Sequence, residues 1–580
     1  MALPRAASPV DQAEIQAPRR HLGPAWHRRI GGLHVLKLKG THYEMGRQHG
    51  ALLASVIPDG PLPYFRQHVE KLAARSLPGP LRHLALPALR QLLGRQVARG
   101  LPSYARDTIR GLAEGAGLKE QAVLDACTMP DSLLWVVARL IRLRAPGPAV
   151  WHRLSLGLGC TSAIAWGAAT TDGRLLHARN FDYHGVASWP RTAAILFHEP
   201  DEGQRYVSIA AAGVGMGGVT AMNQAGLSLT VHQHMFTTQT RLGGTPIGVV
   251  GDEVMRRARS LDEAEAILRG QRPIGCWTYL VTDGARGEVL CFEENPERQA
   301  ARRLGPGEGT LGYANIYLDP ELGATEENLY GSYWRHNHGR HRRANQLLQA
   351  GRGRLDAQAM AGIIGHPGDP RCRVRDSIAM VMTTGSVVFR PEDGALWVGT
   401  GEAPTSRGTY LPFSLADQDF APQLGELTVG GDGDRRGDDG FERYRRAYVA
   451  WLDDEDPRAA LGHLDEARTV CPDQALYHAV AGIIALVLGD GAAAEARFDQ
   501  ALALGHPDEE RLAAWHLFRG RARDLLARRG EAIADYRAAL GRHADAPVHR
   551  AARRDLGRPY TAARARRLDL DMSLGDCIAP

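Results

Sequence analysis

The stretch Gly159-Cys160-Thr161-Ser162-Ala163-Ile164-Ala165-Trp166, together with the residues from Gly167 to Asp182, constrains this chain more than any other. Cys160 to Trp166 interleaves β-branched and aromatic residues with small ones, which is strand chemistry. Thr170-Thr171-Asp172-Gly173 is a turn whose glycine can take a positive φ. Arg174 to Ala178 reads as the returning strand, with Arg179-Asn180-Phe181-Asp182 at its end. The stretch predicts a hairpin carrying a thiol at one end and an Arg/Asn/Asp cluster at the end of its second strand. A thiol becomes a nucleophile near neutral pH when a cation and hydrogen-bond donors stand beside it, and this hairpin brings both close to the sulfur.

The 580 residues are too many for one ordinary core, so two or three domains are expected. A net charge of +5 is small for this length and argues against a nucleic-acid binder. Seven cysteines at irregular spacings, with no Cys-x-x-Cys pair, read as reduced thiols of a cytoplasmic protein and not as a disulfide framework or zinc site. Residues 1–30 hold no apolar run, so no signal peptide is expected there, only a flexible arm. Ser132 to Leu143 is the most apolar stretch. It is too short to span a membrane and is broken by Arg139 and Arg142, and it reads as a core-facing or lid helix.

Taken in order, Leu33 to Leu38 alternates as a strand, and Thr41 and Glu44 have capping-box spacing for a helix that carries Gly46 and Gly50 on one face. Ala51 to Leu143 is helical in pattern, with turns at Pro58–Pro63, Pro78–Pro80 and Gly100–Pro102. Pro146 to Gly159 is a loop running into Cys160. From Ala193 to Phe413 the chain reads mainly as strands, Ala379–Val381 among them, with helices at Pro246–Arg269 and Arg340–Leu348. Periodicity over this region gives an α+β class. Val429 to Gly440 is Gly/Asp-rich and reads as a linker. Beyond it Ala460-x-x-x-Leu464, Ala494-x-x-x-Phe498 and Ala532-x-x-x-Tyr536 recur in helical context. The resulting division is 1–30 arm, 31–159 mostly helical pro-segment, 160–415 catalytic domain, 416–440 linker, 441–545 helical repeats and 546–580 Arg-rich tail. On this reading the repeats fold independently of the rest.

Cys-Thr, a Thr-Asp-Gly turn and Arg-Asn-Phe-Asp together resemble the N-terminal nucleophile (Ntn) hydrolases. Within them the likeness is to the penicillin acyltransferase family, with choloylglycine hydrolases and acid ceramidase as relatives. Gly40-Thr41-His42-Tyr43-Glu44 through Gly50, Met222-Asn223-Gln224-Ala225-Gly226-Leu227, Thr278 through Glu293, and Gly312-Tyr313-Ala314-Asn315 match that family's order, over roughly residues 33 to 413. The resemblance implies an αββα sandwich and an amidohydrolase or N-acyltransferase acting on a small-molecule amide or acyl donor. It implies no metal or organic cofactor. Cys160 would cleave the chain after Gly159 and then act through its own α-amine. Arg179 would hold the sulfur, Asp182 would orient the amine, and Asn315 would stabilise the oxyanion. Asn180, Gln233 and His234 would contact substrate, Gln233 standing where relatives tend to carry Asn. The repeats resemble tetratricopeptide units, with an unrelated helical bundle as the alternative, and offer a surface for a protein partner.

Three rivals stay open on residues alone. Cys127 also precedes a threonine, but at a predicted helix end with no strand after it. His232 and His234 share a strand face and would serve a Cys/His thiol peptidase that needs no cleavage; they lack a third ligand for a metal. An inactive Ntn-like domain fused to a scaffold is the third. Glu44, Ser332, Arg335, Thr383, Thr384 and Ser386 read as structural.

Overall fold

The computed structural model describes residues 10, 12–76, 87–88, 90–143, 159–369, 377–430, 435–577 and 580. The turn expected at Pro78–Pro80, the loop from Pro146 to Leu158 and the middle of the expected linker lie outside them.

Two large sheets organise the chain. The first has ten strands: β1 (Arg20–Leu22), β2 (Ala25–Ile30), β3 (Leu33–Gly40), β6 (Ala193–Pro200), β7 (Tyr206–Ala211), β8 (Thr220–Asn223), β9 (Leu227–Gln233), β10 (Trp277–Asp283), β11 (Glu288–Glu294) and β12 (Gln299–Leu304), in that spatial order. All neighbours are antiparallel except β3 and β6. The second runs β13 (Thr310–Tyr313), β4 (Gly159–Gly167), β5 (Gly173–Asp182), β14 (Thr383–Arg390), β15 (Ala395–Gly399), β16 (Thr409–Ser414) and β17 (Asp419–Phe420), with β18 (Leu427–Thr428) also on β16. The predicted hairpin is β4 and β5, and Gly173 takes φ +79 in its turn.

The period of two sorts each strand into two faces. On the inner faces, Ile195, Phe197 and Val207 of the first sheet pack against Val387, Phe389 and Leu396 of the second, while Trp166 meets Leu280 and Val289. Helices cover both outer faces. On the first sheet lie α1 (His42–Leu52), α3 (Ser103–Ala116), α5 (Ile247–Arg257) and α6 (Leu261–Gly270). On the second, α7 (Gly331–Ala350) and α8 (Ala357–Ile364) bury Ala344, Leu348, Met360 and Ile364 against Ala163, Leu176 and Ala178. The order is helix, sheet, sheet, helix. Thr41 caps α1 in a complete capping box. Gly46 and Gly50 let α1 touch α3 backbone to backbone: a Cβ on either would stand 2.4 and 2.3 Å from the carbonyls of Thr108 and Leu112. Two further helices, α2 (Pro61–Ser76) and α4 (Glu120–Arg142), reach over one end of the sandwich.

Several local expectations are corrected. The expected arm forms β1 and β2 from Arg20 onward, and Arg19 and Arg28 pair with Asp419. The single helix expected at Pro246–Arg269 is two, because Ser260 accepts the Glu263 N–H and starts α6 afresh. The helix expected from Arg340 begins at Gly331. Ala379–Val381 is a bend and turn beside β14. The strand β12 has no signature in the residues, because its exposed Ala301, Arg302 and Arg303 give no apolar alternation; it lies at a sheet edge, where charge is common.

The C-terminal part is three successive helical hairpins: α9 (Arg435–Leu452) with α10 (Pro457–Val470), α11 (Ala475–Leu488) with α12 (Gly491–Leu504), and α13 (Glu509–Leu525) with α14 (Arg529–Leu540). Ala460, Leu464, Ala494, Phe498, Ala532 and Tyr536 are all fully buried. This part does not stand apart. Val186, Val381, Met382 and Ala403 share one core with Phe441, Tyr444 and Tyr448. Tyr64 donates to Asp453 at 2.7 Å, and Arg407 pairs with Asp438. Parts of the expected linker are built into β17, β18 and the start of α9. The tail forms α15 (Ala546–Gly557) and a small hairpin, β19 (Leu570–Asp571) with β20 (Asp576–Cys577). Its carbonyls are held by the repeats: Tyr444 donates to Met572 O at 2.5 Å, Trp451 to Leu570 O at 3.2 Å and Arg511 to Leu574 O at 2.6 Å. The chain's own tail thus covers part of the helical repeats. Among the described residues no helix is long and apolar enough to cross a membrane.

Candidate active site

Cys160 is the second residue of β4, on its inner face, and borders a cavity at one end of the sandwich. Ser162 faces Arg179 across the hairpin, and the Arg179 side chain reaches forward along β5, toward Phe181, so that Nη2 donates to Cys160 Sγ at 3.2 Å and to Val231 O at 2.8 Å. Its Nη1 donates to Thr220 Oγ1, and the guanidinium lies 5.0 Å over the Phe181 ring. On the other side β13 pairs with β4, Tyr313 opposite Ser162, which brings Asn315 beside Cys160. The Cys160 N–H donates to Asn315 Oδ1 at 2.7 Å, and Asn315 Nδ2 donates to Gln233 O at 2.8 Å. A carboxamide nitrogen has two hydrogens, so Asn315, which borders the cavity, keeps a second donor for it.

Asp182 sits opposite Gly159. Its Oδ1 accepts from Thr383 Oγ1 at 2.6 Å, while Oδ2 is buried without a hydrogen-bond partner among the described residues. Arg340 of α7 comes within 3.9 Å of that oxygen. Arg340 Nη1 also donates to Cys160 O and Thr161 Oγ1, both at 2.8 Å, and Nη2 donates to Asn315 Oδ1 at 3.0 Å and Asn337 Oδ1 at 2.7 Å. Burial pushes the Cys160 thiol above its ordinary range; Arg179 and Arg340 pull it back down and Asp182 adds to the rise. Burial also raises the Asp182 carboxyl to about 6, against Arg340, Thr383 and Arg179.

The cavity has a volume of about 180 Å³. Cys160, Arg179, Asp182, Gln233 and Asn315 line it together with Gly159. The rest of the wall is largely apolar, with Leu62 and Phe65 from α2, Met129 and Leu133 from α4, Trp189 and Met216 among its residues. Phe65, Phe181, Tyr183 and Trp189 form an aromatic panel, Phe181 and Tyr183 stacked at 5.2 Å.

The structure therefore gathers Gly159, Cys160, Arg179, Asp182, Gln233 and Asn315 at one place. Asn180 and His234 are not among the residues that border the cavity. Strand alternation turns Asn180 to the outer face, where Nδ2 donates to Ile364 O and Ile378 O and Oδ1 accepts from Ser386 Oγ. His234 is buried between Glu326 Oε1 at 3.0 Å and Thr278 Oγ1 at 2.9 Å, stacked on Tyr317. His232 meets Ser162 Oγ at 3.0 Å in the layer between the sheets, and burial holds its imidazole well below the usual range. Neither histidine borders the cavity. No group of three acidic, His or Cys residues among the described residues is placed to hold a metal ion. Cys127 lies inside α4, not at a helix end, and borders the same cavity, but burial drives its thiol up to about 12 with no guanidinium to oppose it.

Arg340 and Asn337 were missed by sequence reasoning, and Thr383 was read as structural. A signal for the first two exists. Tyr333, Asn337, Arg340, Ala344 and Leu348 follow helical spacing on the buried face of α7, and two polar residues on an otherwise apolar stripe need partners inside. Thr383 gives no such signal, since a threonine at a strand start is ordinary.

A family model described as acyl-coenzyme A:6-aminopenicillanic acid acyl-transferase matches residues 169–401. The match begins nine residues after Cys160 and includes Arg179, Asp182, Asn315, Arg340 and Thr383. An uncharacterized protein of Archaeoglobus fulgidus is 29% identical over 262 residues, 44% of this chain and 42% of that protein, so less than half the length of that relative is matched. Among solved structures, the N-terminal domain of stress-induced protein-1 from C. elegans is covered in full by 22% of this chain at 15% identity. Its TM-score of 0.20 is too low to carry an argument. Over residues 169–401, then, the chain is similar to the acyl-coenzyme A:6-aminopenicillanic acid acyl-transferase family.

Proposed function

We propose that this chain is a self-processing cysteine amidohydrolase or N-acyltransferase for amides with an apolar acyl group. The observation that carries the reading is the placement of Cys160: its thiol borders an apolar cavity, 3.2 Å from Arg179, with Asp182 Oδ2, which has no hydrogen-bond partner among the described residues, beside Gly159. In processing, Sγ attacks the Gly159 carbonyl carbon and the C–N bond to Cys160 breaks. The acyl group passes to sulfur and the nitrogen takes a proton. Water then cleaves the thioester, leaving a carboxylate on Gly159 and a free α-amine on Cys160. Asp182 Oδ2 is the acceptor for that amine. In turnover the amine, with a reference pKa of about 7.7–8.0, takes the thiol proton. The substrate acyl chain fills the apolar wall, and the second Asn315 N–H meets the developing oxyanion. Water or an amine then takes the acyl group from sulfur. The helical hairpins are read as tetratricopeptide-like.

The test is a panel of amides with acetyl, hexanoyl, decanoyl and phenylacetyl groups, assayed with the wild-type chain and Cys160→Ala. Cys160-dependent release favouring the longer or aromatic acyl groups supports the reading. A chain that turns over none of them, or a Cys160→Ala chain as active as wild type, refutes it.

A further inference from the structure

Helix α7 carries Asn337 and Arg340 to Cys160, yet its N-terminus has no cap of its own. Tyr330 holds the N-cap position and makes no side-chain cap hydrogen bond. The first N–H groups of a helix need acceptors, and the positive end of its dipole favours carboxylates. The carboxylates that stand there come from the far end of the chain. Asp545, the N-cap residue of α15, lies against Gly331 so closely that a Cβ at 331 would be 2.5 Å from its Oδ1. It accepts two hydrogen bonds from Arg335, at 2.8 and 2.7 Å. Asp576 of β20 accepts from Ser332 Oγ. Glu510 of α13 is 3.8 Å from Arg335 Nη1.

The C-terminal segment is itself fixed. Arg511, fully buried, donates to Leu574 O and Gly575 O and lies 3.4 Å from Asp576. Leu574 packs in one core with Tyr330 and Tyr333 at the start of α7. From Arg335 to Arg340 is only about 7.5 Å along a helix axis. A shift of the first turn of α7 is therefore felt at Arg340, whose four hydrogen bonds fasten Cys160, Thr161, Asn315 and Asn337.

We propose that Asp545 and Asp576 are positioning residues for the Cys160 site: through Arg335 and Ser332 the C-terminal helical region braces the first turn of α7 from outside and so holds Arg340 and Asn337 at Cys160. This rests on Cys160 being the reacting thiol. The repeats then act on the chain's own active site.

The test uses the full chain with Asp545→Asn, Asp545→Glu and Asp576→Asn, and Asp499→Asn as control, since Asp499 pairs with Arg519 away from α7. Iodoacetamide labelling of Cys160 is followed against pH by peptide mass, with Cys127 in the same cavity as internal reference, alongside kcat and KM for the best amide. Asp545→Asn should move the Cys160 labelling midpoint to higher pH, because a displaced Arg340 supports the thiolate less. It should lower kcat by about 10- to 100-fold, as a small misplacement does, with KM changed by less than about 2-fold because α2 and α4 shape the cavity. Asp545→Glu should restore most of both, and Asp499→Asn should match wild type. A wild-type Cys160 midpoint in folded Asp545→Asn overturns the proposal; so does an equal shift of Cys127, or a loss that Glu does not restore. If Asp545→Asn does not fold by circular dichroism, Asp576→Asn and Ser332→Ala decide on the same criteria. Absence of Cys160-dependent turnover in the wild type would defeat the catalytic reading alone, and the labelling midpoints would still decide the positioning claim.

Discussion

Gly159 and Asp182 face each other across β4 and β5, and the Asp182 carboxylate occupies the space a side chain at 159 would need. A Cβ on Gly159 would stand 3.1 Å from Asp182 Oδ2, 3.2 Å from Arg340 Nη2 and 3.3 Å from Met380 Sδ. Gly159 is therefore held in a tight slot between groups that surround Cys160, where an added methyl would make its neighbours give by a few tenths of an ångström.

That slot makes the first prediction. Gly159→Ala should slow cleavage after residue 159 by about 10-fold, as small displacements of reacting groups do, and Gly159→Val should block it. Gel analysis of freshly expressed chain reads both. Cleavage of Gly159→Val at the wild-type rate would mean that the slot is not the processing site.

The nucleophile is tested by mass. Wild-type protein should separate under denaturing conditions into residues 1–159 and 160–580, the larger piece beginning Cys-Thr-Ser-Ala. Cys160→Ala should stay whole. Cys160→Ser should cleave slowly, a hydroxyl being the weaker nucleophile, and Cys127→Ala should cleave as wild type. A whole wild-type chain that still hydrolyses amides would remove the self-processing mechanism.

Arg340 is predicted to matter as much as Arg179. Its four hydrogen bonds come from a planar fork that lysine cannot reproduce. Arg340→Lys should lower kcat by about 100-fold, close to the effect of Arg340→Met, and so should Arg179→Lys relative to Arg179→Ala. Near-normal kcat in Arg340→Lys would show that charge alone suffices at this position.

Asp182 sets a pH dependence. Burial raises its carboxyl to about 6, while Arg340, Thr383 and Arg179 oppose the rise. The ionised form is the one that holds the α-ammonium, so turnover should climb through pH 6 and level off above it. Stability runs the other way. A carboxyl raised in the folded state binds its proton more tightly there than in the unfolded chain, so its contribution is fully present below about pH 4 and is lost as pH rises through about 6. Asp182→Asn should abolish most turnover and flatten this part of the Tm profile between pH 4 and 7. An unchanged acid limb for whatever activity remains would assign the limb to another group.

The cavity wall is predicted to select the acyl group. Leu133→Trp should raise KM for a decanoyl amide by about 10-fold, since one large side chain removes room that several methylenes would fill, and leave an acetyl amide nearly unchanged. Equal effects on both would mean that the acyl chain lies elsewhere.

The hairpin was legible in the residues because strand chemistry, turn glycine and charged cluster all lie within 24 positions, Gly159 to Asp182. Local rules suffice for that, and for the capping box at Thr41 and the three Ala-x-x-x-large helices. They placed Cys160, Arg179 and Asp182 together because a hairpin's register is set locally. They do not show that Asn180 is taken up by Ile364 O and Ile378 O, or His234 by Glu326 and Thr278, because the elements packed against a strand decide what each of its side chains meets. Arg340, 180 positions from Cys160, entered the site only when α7 packed on the outer face of the second sheet. Asp545 and Asp576, which lie beyond the Gly/Asp-rich stretch, likewise meet Arg335 and Ser332 of α7 only in the folded chain. The Gly/Asp-rich stretch says where the backbone is permissive; whether the parts on either side bury surface against each other is decided by the complementary faces of Tyr444, Tyr448, Val381 and Met382, which meet only in three dimensions.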